Sequence, residues 1–504
     1  MKSFNLVDEP WIRTNRGVLS LRSIFQESGT VALQENSIDR FCLFRFLIAV
    51  CQAACRLKTE KEWEKLDDDG LCSAVLRYLE EKREFFDLYD PERPFLQYPD
   101  IRASKDKQLP ISAYVPGASS GNTTVVFQSN VMEEDLDDAR KTKIVLMHCI
   151  MSYFRTKIDS KIVLRKGFNK NAVAPLCPAL GKEGVLHTFV LGDTFFETLR
   201  LSLMSEELLE EVAYVDEIGI PPWEALPMED DEVARRLSRS YFGHLIPMIR
   251  FCFLDGEILH STSGVVMPDV STGHVDFSVT VRKESGVKQH LYGALAANTM
   301  NQPWRQLDSI LNFCAPTPDY QCLNVKFANA RKSNLTGLWC FGLQVSSQGK
   351  EQFLSMKDDV VDSEIRFSRD FRLSLFYVRY QVEMDCLKQV AERLVNASER
   401  YFQSCGSASR DKNSSNQDIE KLRSKKIKLS KQTQRVRERF WSRCGELASE
   451  LIRVCEGLDA RNLHEEICKI ALDVFRRSCP SNTPRQLLAN CKNEPKFYGI
   501  YERG

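Results

Sequence analysis

A dense run of cations lies between Lys421 and Arg443. Of these 23 residues, ten are Lys or Arg and a single one, Glu438, is acidic. The apolar residues of the run recur at spacings of seven, seven and four, which places them on one helical face: Leu422, Leu429, Val436 and Phe440. A one-sided positive face on a helix suits sequence-independent, salt-sensitive contacts with nucleic-acid phosphates. Because many charged helical faces do no more than meet water, the pattern also fits a solvated surface.

A second feature is a stretch without charge. Residues Gln108 to Met132 contain no Asp, Glu, Lys or Arg, in a chain in which 27% of the residues are charged. The stretch includes SGNTTVVFQSN, residues 120–130, with one aromatic residue, Phe127. Small polar residues leave backbone N–H and C=O groups within reach of a partner, and they are equally typical of a surface turn that leads into a β-strand.

Common spacings of metal-binding and phosphate-binding residues are missing from the sequence. The seven histidines form no HxH, HExxH or HxxxH pattern, no CxxC pair occurs, and the GxxxxGK[ST] motif is absent. Cys51 and Cys55 lie in an apolar helical segment, where core packing is the more common role. We interpret His187, beside Thr188, as a structural residue of a strand. We therefore expect no enzyme activity, no cofactor and no metal site.

Charge divides the chain into two parts, although the formal net charge is zero. Residues 1–365 hold 41 Lys and Arg against 51 Asp and Glu, whereas residues 366–504 hold 28 against 18. The basic part is where a polyanion would bind. The 17 scattered cysteines indicate reduced thiols, and no segment approaches the roughly 20 apolar residues that span a bilayer. We expect a cytoplasmic protein that does not contact a membrane.

Short strands and helices alternate in the first part. Apolar residues on both sides of Asn15–Gly17 predict a β-hairpin, and the apolar period from Ser37 to Cys51 predicts a helix. Two further segments are expected to be helical, 71–88 and 136–157. Three alternating segments suggest a small antiparallel sheet: 264–282, 322–328 and 337–345.

Long amphipathic stretches follow from about residue 366. They are predicted as four helices, at about 366–404, 418–456, 461–478 and from 483 onward. A polar, low-complexity linker at about 405–417 separates the first two. The predicted fold class is α+β: a large N-terminal mixed α/β body with small antiparallel sheets, residues 1–364, followed by a C-terminal four-helix bundle, residues 365–504.

Six short motifs, in the same order, resemble those of the large subunit (CasA) of the type I-E CRISPR surveillance complex, Cascade. They are FNLVDEPWI (4–12), LSLRSIF (19–25), RPFLQ (93–97), SGNTTVVFQSN (120–130), LGKEGVLHTF (180–189) and SVTVRK (278–283). The family plan, an α+β body followed by a four-helix bundle, also fits the break in charge and pattern near residue 365.

The resemblance implies a non-catalytic subunit in antiviral defence. Members of this family recognise the protospacer-adjacent motif (PAM) in target DNA and promote strand separation and R-loop formation. The implied partners are the 5′ handle of the CRISPR RNA, double-stranded target DNA, the other Cascade subunits (handle-binding, backbone and small) and the helicase-nuclease. Because the RNA reads sequence by base pairing, the protein need read only shape and a few base pairs. The alternative is another nucleic-acid-binding scaffold protein with a basic helical bundle.

The resemblance also implies where contacts would fall. The loop that would dock at the RNA handle and the handle-binding subunit comprises Ser120, Gly121, Asn122, Phe127 and Asn130. The PAM-contacting loop, rich in glycine in the family, falls on four small or polar residues without glycine: Asn171, Ala172, Val173 and Ala174. The wedge that splays the first base pair falls on the hairpin tip Gln348, Gly349 and Lys350, with Gln348 preferred and Lys350 second. Strands over 338–345 and 352–356 would flank this tip, and an ordinary hairpin turn would have a similar sequence.

Two groups of cations are the implied contacts to DNA strands. Arg282 and Lys283 would guide the displaced strand, and the bundle would contribute Lys421, Lys425, Lys426 and Lys428.

The chain departs from the family pattern in three places. The paired CxxC motifs of the family zinc site are absent, so no zinc is predicted. No lysine stands where the family inserts one into the PAM minor groove; His260 or Ser261 is nearest, and His260 is the PAM-contact candidate. The family W-x-H-P-H segment is replaced by Val266–His274. The PAM preference therefore stays open.

Overall fold

The computed structural model places most of the chain. It describes residues 2–27, 30–103, 109–115, 136–151, 177–181, 184–227, 231–267, 275–284, 291–331, 335–348, 351–354, 360–368, 372–406, 416–459 and 463–500. Contacts between Cα atoms divide the chain into two compact units. The first comprises Met1–Thr299 and Ser309–Arg366, and the second comprises Met300–Asp308 and Phe367–Gly504. The predicted α+β fold class, with small antiparallel sheets and a helical C-terminal region, is confirmed.

Helices occur in both units. They are α1 Leu21–Gln26, α2 Ser37–Ala54, α3 Glu60–Lys65, α4 Asp68–Glu81, α5 Asp138–Ile150, α6 Phe195–Leu201, α7 Glu206–Leu209, α8 Asp231–Ser238, α9 Tyr241–Leu245, α10 Leu307–Ile310, α11 Leu323–Ala330, α12 Leu373–Gly406, α13 Asn416–Gly445, α14 Ala448–Glu456, α15 Leu463–Ser478 and α16 Pro484–Asn493.

The strands are short and pair antiparallel. They are β1 Ile12–Thr14, β2 Gly17–Leu19, β3 Leu109–Pro110, β4 His187–Leu191, β5 Arg250–Asp255, β6 Ile258–Ser263, β7 Val281–Glu284, β8 Leu291–Ala294, β9 Tyr320–Gln321, β10 Gly337–Leu343, β11 Val345–Gln348, β12 Glu351–Leu354 and β13 Val360–Arg366. Among the described residues, three sheets have three strands, in the orders β13-β10-β4, β3-β6-β5 and β8-β7-β9, and two pairs of strands form the hairpins β1-β2 and β11-β12.

Helix α2 lies at the centre of the N-terminal unit. It begins where the Asn36 side chain accepts a hydrogen bond from the backbone N–H of Asp39, as an N-cap residue does. All of its residues are buried except Ser37, Arg40 and Ala54. Its aromatic residues pack on strands β10 and β4: Phe41 stacks on Phe341 with ring centroids 4.3 Å apart. A helix that is apolar on nearly every side can be stable only inside a core.

The core of the C-terminal helices follows a heptad pattern on α12. Its buried residues recur at alternating spacings of four and three: Tyr380, Met384, Leu387, Ala391, Leu394, Ser398 and Tyr401. This repeat keeps one seam of a helix turned toward its partners. Helix α12 packs against α13, α14, α15 and α16.

The second unit includes a short segment from the middle of the chain, residues 300–308. The Tyr380 hydroxyl of α12 donates a hydrogen bond to the Trp304 carbonyl oxygen at 2.6 Å. The Arg305 guanidinium lies 3.6 Å from the centre of the Trp441 ring of α13. The indole of Trp304 and the side chain of Leu307 are buried, so the segment contributes side chains to the core of the helices.

Several predicted elements are corrected. Residues 323–330 form helix α11 rather than a strand, and the Asn324 side chain in it donates a hydrogen bond to the Thr188 carbonyl oxygen. The helix expected over 71–88 is α4, which ends at Glu81, and a 3₁₀ turn at Arg83–Phe86 follows. The second long C-terminal stretch divides into α13 and α14 at residues 446–447, where the backbone N–H of Leu447 donates to the carbonyl of Cys444.

We expect Trp304→Ala to loosen the C-terminal helices. Removing a buried indole costs about 3–5 kcal/mol, and Trp304 packs with Trp441 of α13 at a ring-centroid distance of 6.2 Å. Hydrogen exchange should show faster exchange of α12 and α13 amides. Leu488→Ala, at a side chain that is 71% exposed on α16, is the control and should change little. Unaltered protection of α12 and α13 in the Trp304 variant would contradict this role of the segment.

Candidate nucleic-acid interface

Several predicted contact residues lie outside the described residues. These are the handle-loop residues Ser120, Gly121, Asn122, Phe127 and Asn130, the PAM-loop residues Asn171, Ala172, Val173 and Ala174, and the tip residues Gly349 and Lys350. Their roles stay predictions. The described candidates are His260 and Arg282, together with the backbone of Lys283, of Gln348 and of the basic helix.

The basic run forms one continuous helix, α13. Its buried side chains include Val436 and Phe440, which belong to the predicted apolar face. Lys431, Arg435 and Arg437 are exposed, and none of them forms an ion pair with a residue that the structure describes. Uncompensated cations on a helix surface raise the local positive potential, which favours binding of a polyanion.

The helical spacing aligns many of these cations. At 100° per residue, one stripe of α13 contains positions 421, 425, 428, 431, 435 and 439. From the first to the last, the stripe extends for about 27 Å at 1.5 Å per residue. At the C-terminal end of the stripe, the Arg439 guanidinium donates a hydrogen bond to the Ser478 hydroxyl at 3.2 Å. Beyond the stripe, the Arg443 guanidinium lies 3.7 Å from the Asp473 carboxylate. Cations that recur along one side of a helix are suited to successive phosphates of one nucleic-acid strand.

Residues 282 and 283, the predicted basic pair, both belong to strand β7 and lie on its opposite faces. Val281 and Ala294 pack on the buried residues Val185, Val275 and Val279, so this face of the sheet points to the core. Successive positions of a strand lie on opposite faces. Arg282 is on the outward face and exposed, whereas position 283 shares the face of Val281. The two positions of the predicted pair therefore lie on opposite faces of the sheet, and Arg282 is on the outward face.

A buried ion pair fixes the segment that leads into β7. Arg45 of α2 and Asp276 have atoms Nη1 and Oδ2 2.6 Å apart, with side chains 1% and 6% exposed. The Arg45 guanidinium also donates hydrogen bonds to the carbonyl oxygens of His244 and Leu245 at the end of α9. Burial opposes ionisation of Asp276, but Arg45 and His187 outweigh it and hold the pKa of this carboxyl well below its usual value.

His187 joins the same cluster from strand β4. Its Nε2 donates to the Ala179 carbonyl at 2.8 Å, and its Nδ1 lies 2.7 Å from the Ser278 hydroxyl. The Ser278 hydroxyl donates to Asp276 Oδ1 at 2.6 Å. The interpretation of His187 as a structural residue is confirmed, because its ring is buried and bridges three segments of the core. The cluster of Arg45, Asp276, Ser278 and His187, which we call the buried hub, sets the start of the strand that carries Arg282.

His260, the PAM-contact candidate, is buried on strand β6. Only 4% of its surface is exposed. Its ring lies 6.1 Å from the Phe253 ring and its Nε2 lies 3.9 Å from Asp255 Oδ2. Burial lowers the pKa of His260. A contact with a base would require the imidazole to turn out of this packing, and the role stays a prediction.

Gln348, the preferred wedge residue, ends strand β11. It pairs with Glu351 of β12, so the connection between the two strands is two residues long. The flanking strands differ from the prediction: β10 ends at Leu343 and pairs with β13 and β4, and the hairpin is formed by β11 and β12 instead. The interruption at Gln344 separates a fully buried strand from a hairpin that leaves the sheet.

The described residues offer no metal centre. No group of three or more His, Cys, Asp or Glu side chains in this part of the chain is placed to hold a metal ion. Cys51 and Cys55, which the sequence predicts to pack in a core, are both buried. Burial raises the pKa of the Cys55 thiol to about 11. A neutral, buried thiol at neutral pH is a packing group. No helix in the described ranges combines the length and apolar content that crossing a bilayer requires.

The arrangement defines an α+β protein with a helical C-terminal region. Solved structures share this fold: CasA of Thermus thermophilus, at 17% identity over 99% of both chains with a TM-score of 0.66, and Cse1 of Thermobifida fusca, at 15% identity over 99% of this chain and 97% of that one with a TM-score of 0.70. A chain of a structure described as a CRISPR RNA-guided surveillance complex matches over 98% of this chain and 99% of its own, at 16% identity and a TM-score of 0.68.

The sequence itself gives the family. The model of CRISPR-associated protein Cse1 matches residues 5–477, and the chain belongs to this family. A CRISPR-associated protein CasA/Cse1 of Thermus thermophilus is 29% identical over 247 residues, which are 45% of this chain. The matched stretch spans only 43% of the length of that relative.

The buried hub was not foreseen. One signal for it was present in the sequence, since Arg45 stands alone in the apolar run FCLFRFL. A lone arginine in such a helix must be paired when the helix is buried. The identity of its partner, Asp276, 231 positions further along the chain, has no local signal.

Replacing Arg45 by Met should destabilise the N-terminal unit by about 3–5 kcal/mol, because it leaves the Asp276 carboxylate buried without its cation. Chemical unfolding of the full chain would measure the loss. The double variant Arg45→Met, Asp276→Leu is the matched comparison and should recover part of the stability. Equal stability of Arg45→Met and the wild type would refute the importance of the ion pair.

The stability of the first unit should fall as the pH falls below about 6.5, the ordinary pKa of histidine. Burial, with a smaller contribution from Arg250, lowers the pKa of His148 on α5 to about 3, and the imidazole lies 2.6 Å from the Ser261 hydroxyl. The unfolded chain therefore binds a proton that the folded chain does not. One such proton costs about 1.4 kcal/mol per pH unit. We expect the slope of the free energy of unfolding against pH, measured between pH 6.5 and 4.5, to be smaller by one proton in His148→Gln than in the wild type. An unchanged slope would exclude His148 as the source of the pH dependence.

Proposed function

We propose that this chain is the non-catalytic large subunit of a type I-E CRISPR Cascade complex. In this role it recognises the PAM in double-stranded target DNA, promotes strand separation and R-loop formation, and supports recruitment of the helicase-nuclease. Its further partners are the 5′ handle of the CRISPR RNA and the handle-binding, backbone and small subunits. The observation that carries the proposal is the match of the Cse1 family model to residues 5–477.

The cationic surface supports a role in holding DNA. The exposed cations of α13 at Lys431, Arg435 and Arg437 have no acidic partner among the described residues, and neither has Arg282 on β7. Contacts of this type depend on phosphate charge rather than on sequence, which suits a strand whose sequence differs with every target. Positions 421, 425, 426 and 428, all lysines, extend the same helix toward its N-terminal end.

Only a few residues of this chain are proposed to recognise the DNA sequence of the PAM. The hairpin tip of Gln348, Gly349 and Lys350 is the proposed wedge, and residues 171–174 together with His260 are the proposed PAM contacts. A protein that leaves guide-dependent reading to RNA needs only such a short, local readout. The handle loop with Phe127 would give register on the RNA through hydrogen bonds and one aromatic contact.

Two variants in the complete RNA-containing complex test the proposal. Gln348→Ala should lower the affinity for target duplex about tenfold when the PAM is present and change little when it is absent, because the wedge acts only after PAM binding. Charge reversal at Lys425, Lys426 and Lys428 should lower affinity in both cases and reduce the dependence of log K on log salt by up to about three. Filter binding over a salt series measures both.

A matched control is charge reversal at Lys469, Arg476 and Arg477, each paired with an acid on or near α15. It changes net charge equally and should have a smaller effect. Salt-dependent binding without PAM dependence would favour the alternative, a general nucleic-acid-binding scaffold with a basic bundle. A chain that associates with no RNA-containing complex when co-expressed with its neighbouring subunits would overturn the proposal.

A further inference from the structure

A row of three residues crosses the sheet β8-β7-β9. Strand β7 lies in the middle, and Arg282 is directly opposite Gly293 of β8 on one side and Tyr320 of β9 on the other. The Arg282 guanidinium lies 5.4 Å from the centre of the Tyr320 ring. A glycine, an arginine and an aromatic residue thus stand side by side on the outward face of the sheet.

The three residues of the row leave it accessible to a ligand. Arg282 is exposed and Tyr320 is partly exposed. Gly293 has no side chain, so nothing from this position covers the guanidinium on the side away from Tyr320. At 5.4 Å the guanidinium is close enough for a cation–π contact. The row therefore presents an exposed planar cation beside a partly exposed aromatic ring.

The strand that carries Tyr320 is held in place by a side chain. The Asn312 side-chain oxygen accepts hydrogen bonds from the backbone N–H groups of Asp319 at 2.7 Å and of Tyr320 at 2.9 Å. The surface is therefore pre-organised in the unbound protein, which lowers the entropic cost of binding.

The charge of Arg282 is available to a ligand. It forms no ion pair or hydrogen bond with the part of the chain that the structure describes. Asp319 stands next to Tyr320, the residue opposite Arg282, and its carboxylate is not paired with the guanidinium. A phosphate would therefore not have to displace an acidic partner at this position.

We propose that Arg282, Tyr320 and Gly293 form a stacking site for one unpaired base of single-stranded nucleic acid. The base lies on the planes of the phenol ring and the guanidinium, in the space that Gly293 leaves open, and the positive charge attracts the adjoining phosphate. Single-stranded nucleic acids are bound by this combination, since every base has a π face. The inference rests on the proposed function in so far as a separated DNA strand supplies the ligand, and it adds Tyr320 as a base-contacting residue.

Binding of two oligomers to the full-length chain at low salt tests the site. One is a 15-nucleotide oligothymidylate, and the other is an abasic deoxyribose-phosphate oligomer of about the same length, so that they differ in bases alone. Fluorescence anisotropy should show tighter binding of the oligothymidylate. Tyr320→Thr should weaken that binding about tenfold, the size expected for one stacked base, and leave the abasic oligomer unaffected. Tyr320→Phe should keep the preference.

Two more variants separate this site from the general strand contact. Gly293→Val fills the open position and should weaken oligothymidylate binding as Tyr320→Thr does, without removing the ring. Arg282→Gln should weaken both oligomers, because it removes the charge. Equal affinity of wild type and Tyr320→Thr for oligothymidylate, equal loss for both oligomers in Tyr320→Thr, or no binding by the wild type would overturn the stacking site. If Arg282→Gln changes neither oligomer, the strand contact of the proposed function fails at this residue as well.

Discussion

The N-terminal unit depends on one buried ion pair, between Arg45 and Asp276. Taking two charges out of water is costly, and their mutual attraction offsets the cost only with help from further hydrogen bonds. The guanidinium pairs with the carboxylate and also donates hydrogen bonds to two carbonyls at the end of α9. Because those partners lie on different segments, α2 can be buried only when α9 and the segment before β7 are in place.

The polar contacts of the hub and the aromatic contacts of α2 meet at His187, which lies against Phe41. The Phe41 ring lies 4.6 Å from the His187 ring and 4.3 Å from the Phe341 ring, which joins the hub to the central sheet. Dispersion and apolar burial supply the stabilisation, and the ion pair selects one arrangement of the segments. The outward position of Arg282 follows from this arrangement, since β7 begins a few residues after Asp276 and Ser278 and turns Val281 to the core.

The C-terminal helices are organised differently. Their core is a seam of apolar and small residues at heptad spacing on α12, and the exposed cations of α13 lie away from its buried residues Val436 and Phe440. Segment 300–308 inserts Trp304 and Leu307 into this core, so the chain passes between the two units three times. Stability and charge thus lie on separate faces of the helices. This separation allows a strongly basic surface without repulsion inside the core.

Periodicity and composition determined much of this protein from sequence alone. The α+β class, the hairpin at residues 12–19, helix α2, the helical C-terminal region and the family resemblance all rest on patterns that short stretches carry. Local pattern failed where distant contacts decide. Residues 322–328 alternate as a strand does, yet Leu323–Ala330 is a helix, and Asn324 in it docks on the core beside Thr188. The pair Arg282 and Lys283 reads as one basic patch in a linear sequence, and only the strand register places its two positions on opposite faces. The partner of Arg45 and the row of Gly293, Arg282 and Tyr320 likewise join residues far apart in the chain. Such contacts depend on how segments pair in three dimensions, and a single sequence contains no local signal for that pairing.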